Sequence, residues 1–309
     1  MTRYSVALPQ FAPGNGDNAA SALTREATHA AELGFSGLWT LDPAEPPISE
    51  TPLLDGLQAL VVAAASGVRL QLGIAVIILP RRNPVLLARE LATLDRLSDG
   101  KLVVGVGIGR PADDVMTRLG LPHDRRARRL QEGVEAMRAL WANPGACYAG
   151  EIFSFEGVTI EPPPMQRPGP PIWFGAKIRP ALRRTARLAD GWIGAGIASN
   201  AEFLEQSKEL QEELFAAQRS IPKMKRVYIA VEADRATAYA RLSAVLDPMY
   251  KSPGMTEHCA VYGSVEECAL RLRELIDAGA DEILLHPLYD HSRQLDALAA
   301  VAQLAGSAR

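Results

Sequence analysis

Short runs rich in valine, isoleucine and leucine alternate along the chain with longer stretches whose apolar residues recur every three or four positions. The first kind of run fits a strand and the second an amphipathic helix. YSVALPQ (4–10) reads as a strand, and SALTREATHAAELG (21–34) as a helix closed by Gly34. FSGLWTLD, VRLQLGIAVIIL and KLVVGVG read as the next three strands. The helices between them are LLDGLQALVVAAAS and PVLLARELATLDRLSDG. In the second of these, Leu86, Leu87, Leu91, Leu94 and Leu97 form one stripe, Pro84 opens it and Gly100 ends it. RRARRLQEGVEAMRALW follows the fourth strand, and PIWFG, GWIGAG, RVYIAVEA and DEILLHP supply four more strands with helical sequence after each. Eight strand–helix units in 309 residues predict a parallel sheet closed into a (β/α)₈ TIM barrel. The alternative is a doubly wound open sheet. The segment YAGEIFSFEGVTIEPPPMQRPGPP breaks the rhythm. It reads as a hairpin and proline-rich insertion, about 146–170, after the fourth βα unit of a single domain spanning 1–309.

Composition narrows the function. With 48% hydrophobic residues and a net charge of -3, the chain has no basic domain to neutralise phosphates, which argues against nucleic acid. Cys147, Cys259 and Cys268 fit no zinc spacing and no disulfide framework, so no metal site is expected. The apolar zone ALVVAAASGVRLQLGIAVIIL is broken by Arg69, Gln71 and two glycines, and reads as helix, turn and strand, not as a membrane span. The N-terminal MTRYSVALPQ has no apolar core of signal-peptide length, so a cytoplasmic location is expected.

KLVVGVGIGR places Gly105, Gly107 and Gly109 at G-x-G-x-G spacing, followed by Arg110-Pro111 where a helix would start. A dinucleotide fingerprint needs G-x-G-x-x-G, usually in the first βα unit. At the C-terminal end of a barrel strand, glycines instead clear space at the active-site face, where a planar ring could approach backbone. The alternative is that they only relieve packing.

LGIAVIILPRRNPVLLARELATLDRLSDGKLVVGVGIG resembles the central signature of the luciferase-like monooxygenase superfamily, the bacterial luciferase-like flavin- and F420-dependent oxidoreductases. AAELGFSGLWTLD and PIWFGAKIRPALRRTARLADGWIGAG resemble two further signatures, and the likeness runs from about residue 4 to residue 290. It implies a barrel that binds FMN or the deazaflavin F420 at the C-terminal ends of its strands. It also implies a non-prolyl cis peptide in the third strand against the cofactor ring, with Ala75-Val76 at that position. Gly107 and Ile108 match backbone near the ring edge, and Arg110 and Asp113 match positions that rim the pocket; Gln10 and His123 are further candidates for the substrate pocket, with an inert loop histidine the alternative for His123. Gly175, Ala176 and Lys177 match the turn nearest the cofactor's side chain.

Either cofactor carries a phosphate, which needs backbone N–H groups or fixed cations. AKIRPALRR offers Lys177, Ile178 and Arg179 before a helix, and the Gly194, Ala195, Gly196 turn offers a second site; solvated surface is the alternative for the basic residues. The F420 branch of the family often has threonine and lysine at the end of the sixth strand, where this chain has Ala195 and Ala198. Its dehydrogenases usually end the second strand in Asp-His, where this chain has Asp42-Pro43. Asp42 could contact a cofactor hydroxyl or ring edge, and Asp42 and His286 are the available catalytic candidates. His29, His123 and His258 read as surface or loop residues.

The leading functional expectation is an F420-dependent oxidoreductase that transfers a hydride to or from a small organic substrate. The alternatives are an FMN-dependent monooxygenase fed by a separate cofactor reductase, and a cofactor-binding protein without turnover. A homodimer is expected, with the apolar helix LLDGLQALVVAAA as one packing surface; packing within the chain is the alternative for that helix.

Overall fold

The computed structural model describes residues 2–11, 18–43, 52–109, 114–121 and 124–307. Eight strands run parallel and close on themselves: β1 (Arg3–Ala7), β2 (Gly37–Asp42), β3 (Gln71–Ile78), β4 (Leu102–Gly107), β7 (Ile172–Gly175), β8 (Gly191–Gly194), β9 (Lys223–Val231) and β11 (Glu282–His286). β11 pairs back with β1 through Arg3↔Glu282 to Val6↔Leu285, which closes the barrel. The open-sheet alternative is thereby excluded.

Helices surround the barrel: α1 (Ala19–Glu32), α2 (Gly56–Ala65), α3 (Pro84–Leu97), α5 (Arg126–Ala142), α6 (Arg179–Leu188), α7 (Asn200–Ala216), α8 (Arg235–Tyr250), α10 (Val265–Asp277) and α11 (His291–Gly306). Short polar side chains start many of them. Asn18, Asp55 and Asn83 accept first-turn N–H bonds, and Ser199 with Glu202 and Ser264 with Glu267 form capping boxes. No helix among the described residues is long and apolar enough to cross a membrane.

Alternation divides the strand residues between two cores. Outward-facing Leu38, Val104, Phe174, Val227 and Leu285 join the helices in the large outer core. Inward-facing Ala7, Trp39, Ala75, Val103, Trp173, Ile193, Met224 and Leu284 fill the barrel. The two indoles set the inner packing. A Cβ at Gly73 would come within 2.3 Å of the Trp39 ring, and one at Gly191 within 2.4 Å of the Trp173 ring. Both positions therefore require glycine.

Below the indoles lies a polar floor. The buried Glu282 carboxylate accepts from Ser5 Oγ at 2.7 Å, Trp39 Nε1 at 3.0 Å, Gln71 Nε2 at 3.3 Å and the Arg3 guanidinium at 2.7 Å. Strands β1, β2, β3 and β11 thus meet on one side chain.

The insertion is an antiparallel hairpin, β5 (Ala146–Ala149) and β6 (Ser154–Val158). Two buried carboxylates clamp it. Glu132 of α5 accepts the backbone N–H groups of Glu151, Ile152 and Phe153, and Asp95 of α3 accepts both the backbone and side-chain N–H of Gln166.

The structure departs from the sequence expectation mainly around β9. That strand begins at Lys223, three residues before RVYIAVEA, because Lys223 to Lys225 pair with β8. Its upper end pairs with β10 (Val261–Gly263), a strand the sequence pattern did not predict. Three residues are too few for alternation to show. α4 (Asp114–Arg118) and α9 (Met255–Cys259) are likewise short helices in stretches that read as loops.

Replacing Glu282 with alanine would leave the Ser5 and Trp39 donors unpaired in the barrel floor, while the half-exposed Arg3 keeps Gln71. Each buried donor left unsatisfied costs about 1–3 kcal/mol, so urea unfolding of Glu282→Ala should show a loss of about 2–6 kcal/mol. A loss near zero would mean the floor tolerates unpaired donors.

Candidate active site at the barrel mouth

Barrel enzymes carry their chemistry at the C-terminal ends of the strands. In this chain the feature that shapes that end is an irregularity in β3. Pairing with β4 runs Ile74↔Val104 and then Ile77↔Val106, so β3 spends three residue steps where β4 spends two. The Ala75–Val76 peptide within it is cis, as the resemblance implies. The result is that Ala75 and Val76 both join the interior cluster.

Two glycines make room beside Val76. A Cβ at Gly107 would lie 2.8 Å from Val76 Cγ2, and one at Gly175 would lie 3.2 Å from Val76 Cγ1. These three residues make a wall with almost no side-chain relief on the β3–β4–β7 side of the mouth. Gly105 has a different role from the one its spacing suggested. A Cβ there would come within 2.2 Å of the Ile74 carbonyl and 2.7 Å of Ile193 Cδ1, so it accommodates the β3 irregularity and frees no space for a ring.

The opposite side is polar. Arg226 and Tyr228 share the inward face of β9 with Met224, and His286 ends the inward face of β11. The Arg226 guanidinium donates to the Ala75 carbonyl at 3.3 Å, Tyr228 Oη at 2.8 Å and Tyr250 Oη at 3.4 Å. The two phenols are hydrogen-bonded at 2.6 Å, and the guanidinium stacks 5.0 Å from the Tyr228 ring centre. Burial drives the Tyr228 phenol well above its ordinary range, although Arg226 opposes the shift. His286 is 3% exposed and stacks on Tyr228, with ring centres 5.1 Å apart. Its Nδ1 has no hydrogen-bond partner among the described residues, and burial, assisted by the Arg226 charge, holds its pKa well below the ordinary value. The ring is therefore a neutral imidazole.

Lys225, next to Arg226, points the other way. It is 1% exposed, and its Nζ donates to the carbonyls of Ala195 and, at 2.6 Å, Ala198. It thus props the turn between β8 and α7 from beneath. β7 and β8 are paired neighbours whose C-terminal ends meet at Gly175↔Ile193. The two turns read separately from the sequence as phosphate sites therefore adjoin one another.

Several sequence candidates are already engaged in structural roles. Asp42 is ion-paired with Arg82 at 2.6 Å, and burial raises its pKa despite that partner. The Gln10 amide is spent on Leu41 N, Leu41 O and Leu54 O, which fastens the start of the chain to the end of β2. Arg179 is tied to Glu212 and Glu213. The Ala176 carbonyl accepts from Trp192 Nε1, Ile178 is 63% exposed, and Gly194 admits the Phe203 ring on the helix side of the barrel. Gly196 lies against Arg226, whose Nε would be 2.5 Å from a Cβ there. Ile108 is half-buried after β4. Arg110, Asp113 and His123 lie outside the described residues.

Sequence reasoning missed Lys225, Arg226, Tyr228 and Tyr250, and also His291, which bonds Glu26 and the Ala7 carbonyl. For Arg226 and Tyr228 a signal was present. Met224, Arg226 and Tyr228 alternate with Lys225, Val227 and Ile229, and that parity marks two polar residues on the barrel's inner face.

The chain matches the luciferase-like monooxygenase family over residues 1–254. It belongs to that family. An uncharacterized protein of Mycobacterium tuberculosis is 34% identical over 71% of this chain and 76% of its own. The F420-dependent glucose-6-phosphate dehydrogenase of Kineococcus radiotolerans is 27% identical over 94% of this chain and 93% of its own. The FMNH(2)-dependent dimethylsulfone monooxygenase of Pseudomonas putida is 31% identical over 37% of this chain and 32% of its own. Among solved structures, an F420-dependent secondary alcohol dehydrogenase in complex with an F420–acetone adduct superimposes with a TM-score of 0.83 at 16% identity. It covers 98% of this luciferase-like chain and 99% of its own.

Burial lowers the Lys225 ammonium from its ordinary 10.5 to about 7. Between those values the unfolded chain holds a proton that the folded chain has lost, so Lys225 makes stability rise with pH across that window and leaves it flat below. Guanidinium unfolding of this luciferase-like protein should therefore show the wild type gaining on Lys225→Met from about pH 7 to about pH 10. A constant difference over that range would show that the folded protein keeps the proton.

Proposed function

We propose that the protein is an F420-dependent oxidoreductase that moves a hydride between the deazaflavin and a small organic substrate. The observation that carries this reading is the two-sided mouth. A nearly featureless wall of Val76, Gly107 and Gly175 faces a cluster of Arg226, Tyr228, Tyr250 and His286. A planar tricyclic ring would lie against the first side, where Val76 is the one side chain among these three residues. A polar reacting group fits the second. The F420-dependent relative aligns over nearly its full length and the FMNH(2)-dependent one over about a third, which favours the deazaflavin.

The bound cofactor would supply the hydride chemistry, for which the protein need provide only proximity and orientation. Val76, Gly107 and Gly175 would hold the ring, and Ile108 would border it. The adjoining turns at Lys177 and at Gly194 to Ser199 would hold the phosphate, with Lys177 as its cation, because Arg179 is bound by two glutamates. Trp39 and Trp173 seal the barrel beneath and keep water from reaching the site from below. Asp42, held by Arg82, braces the mouth at β2. The His286 Nδ1 can donate or accept a hydrogen bond with the substrate, according to its tautomer.

The second reading, an FMN-dependent monooxygenase with a separate reductase, draws on the Pseudomonas relative and on Asp42-Pro43 replacing Asp-His.

Titration of the purified protein with F420 and with FMN, followed by fluorescence and absorbance, separates the two. F420 should bind and exchange hydride with a bound substrate. FMN binding with oxygen-dependent turnover, and no response to F420, would overturn the proposal. Gly107→Val should keep a native circular dichroism spectrum and weaken cofactor binding by about tenfold or more, about 1.4 kcal/mol. Unchanged affinity would move the ring away from β4.

A further inference from the structure

We propose that the barrel mouth contains an anion-binding position centred on Arg226, and that it takes a carboxylate carried by the organic substrate. Elsewhere in this chain, buried carboxylates meet guanidinium groups: Glu282 meets Arg3, Glu132 meets Arg128, and Glu232 meets Arg241 and Arg293. Arg226 is not in such a pair, and unlike Arg219 and Arg273, whose donors also end on carbonyls, it faces the mouth. Among the described residues it has no carboxylate partner, and its hydrogen bonds go to one carbonyl and two phenols. A guanidinium has five N–H donors, so some are left for a ligand.

A cation largely withdrawn from water is costly unless an anion balances it. The Tyr228 phenol does not balance it, since burial raises its pKa. The Arg226 side chain is only partly buried, so a ligand in the mouth can reach it.

A second observation points to the same place. His286 is 3% exposed, stacks on Tyr228, and offers a buried Nδ1 with no partner among the described residues. Among the described residues, Arg226 and the His286 imidazole thus present unspent hydrogen-bonding groups and one positive charge on the wall facing Val76 and Gly107. Arg226 also bonds the Ala75 carbonyl beside Val76. An anion held there lies next to the surface against which the ring is placed, so it would bring the rest of a small substrate to that ring. The substrate class therefore rests on the oxidoreductase reading, whereas the anion position rests on Arg226 and His286 alone.

The test uses the purified protein without added cofactor and two pairs of probes matched in shape: benzoate with benzamide, and pyruvate with pyruvamide. Calorimetry should show the anions binding at least about tenfold more tightly than the neutral amides. Arg226→Gln should abolish that preference and Arg226→Lys should keep part of it, with circular dichroism confirming the fold of each. Equal binding of anion and amide by the wild type would overturn the proposal even if both variants failed to fold. A preference that survives Arg226→Gln would overturn it too. A repeat with F420 or FMN at saturation separates the substrate from the cofactor. Retained benzoate affinity supports the proposal, whereas displacement of benzoate would assign Arg226 to the cofactor and overturn it. The cofactor-free measurement stands whichever cofactor the protein uses.

Discussion

A barrel must close, and in this chain closure brings the first strand and the last onto one carboxylate. Glu282 enters β11 with its side chain inside, where hydroxyl, indole, amide and guanidinium donors from β1, β2 and β3 converge on it. A charge so deep would be prohibitive without those donors, and the donors would be stranded without the charge. The network also fixes the Trp39 indole in height and direction, and that indole dictates glycine at position 73. The level at which the barrel is plugged, and hence the depth of the space above, follows from this one contact set.

Above the plug the interior changes character. Large side chains give way to Val76 and two glycines on one side, and to Arg226, Tyr228 and His286 on the other. The asymmetry arises from strand parity combined with one irregularity. Without the extra residue step in β3, Ala75 and Val76 would alternate across the sheet, and one of them would leave the interior. Gly105 is the complementary half of that irregularity, because it makes room for the Ile74 carbonyl.

The barrel was legible because its signal is redundant. Eight strand–helix alternations, proline at helix starts and glycine at helix ends all point to one architecture. The glycine-rich end of β4 was legible only as a region. Spacing could not assign Gly105 to the backbone of β3 and Gly107 to the mouth, since that division depends on a cross-strand contact. Arg179 shows the same limit: a basic residue before a helix fits a phosphate site, yet its glutamate partners lie over thirty residues away in α7. Tyr250 sits at the far end of α8, and nothing local in MYKSPG foretells that its phenol reaches β9. Arg226 and Tyr228 could have been found from parity alone.

The neighbouring pair Lys225 and Arg226 has a further consequence for how the strand finds its place. One basic side chain is directed outward under the β8–α7 turn and the other inward to the mouth, and each meets acceptors on its own side. A slip of one position along β11 would exchange the two faces, sending Val227 into the mouth and parting both side chains from their acceptors. The β-branched and aromatic residues of β9 discriminate less between the two faces on hydrophobic grounds alone. Its two adjacent basic side chains act as a proofreading mark against that slip.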